Sequence, residues 1–348
     1  MTFDSRASAK AWLAYNETSL RTGTWIDPRL QSIKISEVAS KWLLSDPRKR
    51  DGSVARDKSI LITHILPEIG NRAIGSITKS DVQTLVDNWS LTSAPSTAQR
   101  QYACLRSLFS FAESTELISH SPCQSIRLPE FFPRDSTILD NEQLEVLSKS
   151  MGEYGPMVYL AVMGLRWGEI AGLRVKSLNF LNETVAITSQ RTRGLNGMMV
   201  EQAPKTRTSR RILSLPEWLM EMLKDSLLKR NVLDKPDALV FVSPSGEPLH
   251  YSNWRRRVWL KATTDVGLEN LTFHDLKHTA ATTLVEEGVD IKTAQQRLGH
   301  ANPQTTLRIY AQVTSRTDKA AAKIVGDRLR PQSHNIWRDP QISSGPEI

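Results

Sequence analysis

The sequence predicts a mainly α protein of the α+β class: a helical body, then a mostly helical body carrying a small antiparallel β-sheet. Three observations lead there. Residues 34–126 place apolar side chains at three- and four-residue spacing throughout, the period of helices with one buried face. A stretch rich in proline and charge, IRLPEFFPRDS at 126–136, then interrupts the pattern. Beyond it helical stretches resume, broken by short β-like pieces between residues 183 and 215.

Length and composition agree with this plan. At 348 residues the chain accommodates two or three domains, and 39% hydrophobic with 24% charged residues is the balance of a chain with a real core. No apolar run approaches the roughly 20 residues that span a bilayer, and MTFDSRASAKAW has no apolar signal region. The expectation is a soluble, cytoplasmic protein without a membrane partner. A net charge of +8 points to a polyanionic partner, nucleic acid first among them. Cys104 and Cys123 form no CxxC pair, which excludes a cysteine-based zinc site and makes reduced thiols the natural reading.

The elements follow in order. In residues 1–33, ASAKAWLAYNETSL sets Trp12, Leu13 and Leu20 at near-helical spacing, and the helix ends by Gly23; it is too short to be a domain. Residues 34–128 form the helical domain. IKISEVASKWLL carries Ile35, Val38, Trp42 and Leu43 on one face. ARDKSILITHILPEIG is stopped by Pro67 and Gly70. TKSDVQTLVDNW opens with Thr78 and Asp81 spaced as a capping box, and AQRQYACLRSLFSFAES turns Leu105, Leu108, Phe109 and Ala112 inward. Its Arg100 and Arg106 point elsewhere, toward solvent or a phosphate. Residues 129–136 are the linker.

The second domain spans 137–328. DNEQLEVL starts a helix capped by Asp140 and Gln143, and PMVYLAVMGLRWGEIAGL reads as one apolar helix. ETVAITS, GMMVEQA and SRRILSL are strands of one small antiparallel sheet, separated by the turns TRGLNG and PKTRTS. Helices resume at 216–230, in NWRRRVWLKATTDV, in the histidine segment and in AQQRLG. Residues 329–348 read as a flexible tail.

Several residues carry chemistry. HDLKH puts His274 and His278 four apart, on one helical face, as in helical zinc sites. The metalloprotease pattern, however, has glutamate after the first histidine where this chain has Asp275, and no third ligand follows at fixed spacing. His278 fits better as a satisfied core histidine. Arg166 and Glu169 lie one turn apart in an apolar run, where a charge is costly unless paired or bound to an anion. Lys205 sits on the turn PKTRTS, and LGHANPQTTLRIYAQV sets His300 ten residues before Tyr310. Singly, these are a salt bridge, an exposed turn lysine and core filler.

In this order, GLRWGEIAGLR, PKTRTSRR, HDLKHTAAT and LGHANPQTTLRIYA closely resemble the motifs of the tyrosine recombinases of the phage integrase type. The resemblance covers roughly residues 34–325. The first 30 residues resemble the end of the arm-site DNA-binding domain of actinobacterial phage integrases, without the strands that would precede it. Residues 34–128 would then be a core-site DNA-binding domain and 137–328 the catalytic domain, the two clamping duplex DNA in a tyrosine recombinase-like fold.

The resemblance implies roles. Tyr310 is the nucleophile that forms a 3′-phosphotyrosyl link. Arg166 and His300 stabilise the phosphate, Lys205 protonates the departing 5′-hydroxyl, and His274 accepts a proton or orients the nucleophile. Glu169 supports Arg166. Lys277 stands where the family usually has arginine; lysine keeps charge but loses the planar fork. Further DNA contacts are expected from Arg100, Arg106, Arg207, Arg210 and Arg255. The reaction needs no cofactor, metal or ATP. The implied partners are double-stranded DNA attachment sites and three further copies in a homo-tetramer on synapsed DNA. A host DNA-bending protein and a directionality factor are candidate accessories, and the site of action is the bacterial nucleoid. The implied activity is integration, and excision, of a phage genome. Two alternatives remain: an attachment-site binding protein weakened or inactivated by Lys277, and a same-chemistry relative such as a transposon or dimer-resolution recombinase or a type IB topoisomerase.

Overall fold

The computed structural model describes residues 5–21, 25–132, 134, 136–194, 198–203, 210–299, 302–304, 306–307, 322–323 and 325–329. The chain divides into two compact units, Met1–Asp135 with Arg193–Val200, and Ser136–Thr192 with Glu201–Ile348. Among the described residues, no helix is long and apolar enough to cross a membrane.

The first unit is helical. It runs α1 (Arg6–Arg21), α2 (Pro28–Gln31), α3 (Ile35–Leu44), α4 (Asp51–Ile60), α5 (Leu66–Ile69), α6 (Lys79–Thr92) and α7 (Pro95–Ser114). The apolar faces read from the sequence are the ones that meet: Ile35, Val38 and Trp42 of α3, Val82, Leu85, Val86 and Trp89 of α6, and Leu105, Leu108, Phe109 and Ala112 of α7 share one core. α6 starts as anticipated, with the Thr78 side chain accepting from the Asp81 N–H and Asp81 reaching back to the N-cap. In α1, by contrast, Trp12 and Leu13 are exposed.

Pro67 does not end its helix. A turn of π-helix at Leu61–Ile65, in which the Leu66 N–H reaches the Leu61 carbonyl, resets the hydrogen bonding. Pro67 then falls in the first turn of α5, where a missing N–H costs nothing. Cys104 and Cys123 are buried free thiols, and burial pushes each up to about 12, so neither carries appreciable thiolate. The start of the linker is tied to this unit: Gln83 donates to the Arg127 carbonyl and accepts from its N–H, and Gln99 donates to the Pro129 carbonyl.

The second unit contains α8 (Asn141–Ser150), α9 (Pro156–Val162), α10 (Trp167–Ala171), β1 (Leu178–Asn179), β2 (Thr184–Ile187), β5 (Arg211–Ser214), α11 (Glu217–Lys229), α12 (Tyr251–Trp254), α13 (Leu260–Asp265), α14 (Asp275–Glu286) and α15 (Ile291–Leu298), while β3 (Gln190–Arg193) and β4 (Met199–Gln202) are divided, with Arg193, Met199 and Val200 counted in the first unit. Asp140 and Gln143 form the anticipated capping box on α8. Among the described residues the strands form two sheets rather than one. β1, β2 and β5 make an antiparallel sheet, with Val185 opposite Leu213, while β3 pairs with β4 separately. β3, QRTR, carries no apolar residue, so alternation could not announce it.

The apolar run 156–173 is likewise not one helix. α9 stops after Val162 and α10 begins at Trp167. Between them Gly164 adopts φ +104, and a Cβ there would stand 3.1 Å from the Arg297 carbonyl oxygen. This break brings Arg166 to the head of a helix.

Candidate active site

Arg166 is the N-cap of α10, in extended backbone, and Glu169 is the third residue of that helix. The pair is therefore local, but not the side-by-side pair of one continuous helix. The Glu169 carboxylate accepts from the Arg166 N–H at 2.9 Å and from its Nη1 at 3.0 Å. A glutamate at this position also suits the positive end of the helix dipole. Trp167 holds the helix head from behind. Its ring meets Tyr251 edge-on at 4.9 Å and Trp254 at 5.8 Å, and Trp254 continues into Trp259 and Phe273. Phe273 immediately precedes His274, so one aromatic cluster sets both Arg166 and His274.

The Arg166 guanidinium keeps 35% of its side-chain exposure, whereas Glu169 keeps 1%. A second arginine shares that carboxylate: Arg211, at the start of β5, donates Nη1 at 3.2 Å and Nη2 at 3.0 Å. Burial pushes the Glu169 carboxyl up, but Arg211, by hydrogen bond and charge, and then Arg166 more than offset this, and its pKa lies below the ordinary glutamate value.

Arg211 is 7% exposed and does more. Its Nε donates to the Arg297 carbonyl at 3.0 Å and its Nη2 to the Gly164 carbonyl at 3.0 Å. Lys277 lies beneath, 3% exposed, donating Nζ to the Gly164 carbonyl at 3.2 Å and to the Leu298 carbonyl. Burial, then Arg166 and Arg211, hold Lys277 well below the ordinary lysine range, with Glu169 opposing. Arg166 Nη2 completes the set on the Gly299 carbonyl at 2.7 Å. Three cationic side chains thus converge on three consecutive carbonyls, 297–299, at the end of α15, the negative end of that helix. Gly299 ends α15 in the left-handed region at φ +60, and a Cβ there would stand 2.8 Å from Arg211 Nη1.

His274 caps α14, and its ring stands edge-on to His278 at 5.1 Å. His278 is half-buried rather than fully enclosed. His274 is exposed by area but crowded at the ring, and desolvation, then His278, Lys277 and Arg166 bring it down to about 4, with Asp275 opposing. It is therefore a neutral imidazole, able to accept a proton, through the neutral pH range. The folded-state pKa lies below the unfolded one, so its contribution to stability is complete above about 6.5 and is lost as pH falls toward 4. An NMR titration of the DNA-free protein should put the His274 midpoint well below 6.5; a midpoint at or above that value would contradict the arrangement. Asp275, in the position that would be the metalloprotease glutamate, instead accepts from the Thr272 N–H and hydroxyl. Among the described residues no group of three or more His, Cys, Asp or Glu is placed to hold a metal ion.

Of the anticipated site residues, Arg166, Glu169, His274 and Lys277 are thus brought together. Lys205, Arg207, His300 and Tyr310 lie outside the described residues, as does most of the segment after Tyr310. Arg100, Arg106, Arg210 and Arg255 are exposed, as a DNA contact requires. Arg210 borders a groove between β5 and α15 that Lys292 and Arg297 also line. The sequence reading missed Arg211. Its signal was present, since Arg211 lies two residues from the buried Leu213 and so on the same inner face of β5, and an inward cation needs an acid such as Glu169.

Comparison with known proteins identifies the family and the fold. The profile described as Phage integrase family matches residues 137–316, and that described as Phage integrase central domain matches 35–128. The integrase of Mycobacterium phage D29 is 27% identical over 342 residues, covering 92% of this chain and 88% of its own. The Tn1549 transposon integrase, solved in complex with transposon right end DNA, superposes with a TM-score of 0.71 at 20% identity, covering 84% of this chain and 100% of that one. A lambda integrase dimer bound to a COC' core site gives 0.59 at 16% identity, with 89% and 88% covered.

Proposed function

The chain belongs to the phage integrase family, and from that premise we propose that it is a site-specific tyrosine recombinase that cleaves and rejoins DNA at attachment sites. The observation that carries the reading is Arg166, a partly exposed guanidinium held from two sides by Glu169 and the Gly299 carbonyl, beside a neutral His274.

A phosphodiester gains negative charge as it is attacked, so fixed donors lower the barrier. Arg166 forks onto the non-bridging oxygens, joined by His300, the residue after Gly299. The Tyr310 oxygen attacks phosphorus, its proton passing to His274 or to solvent through it. The bond from phosphorus to the 5′ oxygen breaks, and the electron pair leaves with that oxygen, which Lys205 protonates. The 3′-phosphotyrosyl link conserves the phosphodiester bond, and a 5′-hydroxyl from the partner duplex reverses the step. No nucleotide is consumed. The partner is double-stranded DNA, bound by a homo-tetramer when two sites are synapsed, with a host bending protein and a directionality factor as accessories. The chain acts on DNA in the bacterial nucleoid.

The test uses a duplex copied from the junction between the element carrying this gene and its host chromosome, nicked near the crossover so that a short strand is lost on cleavage. Wild-type protein is expected to form an SDS-resistant adduct in EDTA without ATP, and Tyr310→Phe none. Specific binding without an adduct would support the non-catalytic alternative. Sequence-independent relaxation of supercoils would support a topoisomerase.

A further inference from the structure

Three side chains from distant parts of the sequence meet at one place, and only Arg166 among them is open to a substrate. Arg211 and Lys277 are nearly enclosed, and no DNA phosphate reaches a guanidinium whose acceptors are already the Glu169 carboxylate and the carbonyls of Arg297 and Gly164. What they touch is the machinery around the phosphate. Arg211 grips the carboxylate that grips Arg166, and it packs on the bare face of Gly299, the residue before His300. Lys277 takes the neighbouring carbonyl, Leu298, and joins it to the turn at Gly164 that leads into Arg166.

Resting on the recombinase reading above, we propose that Arg211 is a positioning residue of the recombination site. It fixes Arg166 through Glu169 and, together with Lys277, fixes the end of α15 whose Gly299 carbonyl Arg166 holds. Arg166 is then held in one frame, in which the last turn of α15 and the head of α10 are joined. Lysine at position 277 is sufficient for this task, since an ammonium serves two carbonyls without a planar fork. Lysine at position 211 is not, because a single nitrogen cannot reach Glu169, the Arg297 carbonyl and the Gly164 carbonyl together.

The experiment measures adduct formation by the full-length protein on the nicked junction duplex and on the same duplex with a methylphosphonate at the scissile position. The methyl group replaces one non-bridging oxygen and removes the charge that Arg166 neutralises. Arg211→Lys is expected to bind the duplex within about threefold of wild type and to form adduct about a hundredfold more slowly, the scale of a small misplacement of a catalytic group. On the methylphosphonate its deficit relative to wild type should shrink to within about threefold, as should that of Arg166→Ala. The double variant should be no slower than Arg166→Ala alone, since the two act as one. A purely structural Arg211 would show the same deficit on both substrates and would add fully to Arg166→Ala; either result overturns the proposal. If Arg211→Lys does not fold, Glu169→Gln breaks the same bridge from its other side and must show the same substrate dependence. Absence of adduct with wild-type protein would instead overturn the recombinase reading, and this proposal with it.

Discussion

Glu169→Ala is expected to lower the melting temperature of the protein by about 10 °C, followed by scanning calorimetry or circular dichroism. The Glu169 carboxylate, 1% exposed, is the shared acceptor of Arg166 and Arg211. Arg166 can turn toward water when it is removed, but Arg211, 7% exposed, cannot. Removing one partner of a buried ion pair strands the other charge, at a cost of about 3–5 kcal/mol. For a unit of this size each kcal/mol moves the midpoint by roughly 2–4 °C. Glu169→Gln keeps the shape and part of the acceptor set, so it should cost roughly half as much, in the range of a lost hydrogen bond to a charged group. A shift under about 2 °C for Glu169→Ala would mean that Arg211 finds another acid, and that the carboxylate does not hold the two arginines in place.

Arg166→Ala should leave the fold intact and remove the chemistry. Of the three basic side chains at the end of α15 Arg166 alone has a substantial exposed area, and Glu169 keeps Arg211, so its loss strands no buried charge. Adduct formation should fall by about a hundred- to a thousandfold, the usual consequence of deleting one donor aimed at developing charge. Affinity for the attachment duplex should fall by less than about tenfold, because this is one phosphate contact among many. The rate and binding measurements together separate this residue from exposed arginines such as Arg100 or Arg255, whose loss should weaken binding and its salt dependence while sparing the rate of the bound complex. Equal losses of affinity and rate for Arg166→Ala would make it an ordinary phosphate contact.

Much of this arrangement was legible in the amino-acid order. The helical faces of α3, α6 and α7 follow from three- and four-residue spacing, and the capping boxes at Thr78 and Asp140 mark where α6 and α8 begin. The pairing of Arg166 with Glu169 was legible because an apolar run leaves two charges no other recourse. The break between α9 and α10 was not: MVYLAVMGLRW has a single glycine as punctuation, and only the approach of Arg297 explains why that glycine bends the chain. Nor were the π-turns at Leu61–Ile65 and Arg255–Trp259, which shift hydrogen bonding without changing the apolar pattern. The carbonyl collar escaped for a deeper reason. Backbone oxygens leave no trace in a sequence, so nothing in it announced that Lys277 donates to the main chain of Gly164 and Leu298.

In the proposed reaction one tyrosine becomes covalently joined to DNA under the charge of Arg166. Trapping the adduct on the nicked junction duplex, digesting protein and DNA, and identifying the modified peptide by mass spectrometry shows which residue carries the DNA. A nucleotide remnant linked through its 3′ phosphate to Tyr310 is expected in wild-type protein and not in Tyr310→Phe. A remnant on any other residue, or a link through a 5′ phosphate, would contradict that reaction.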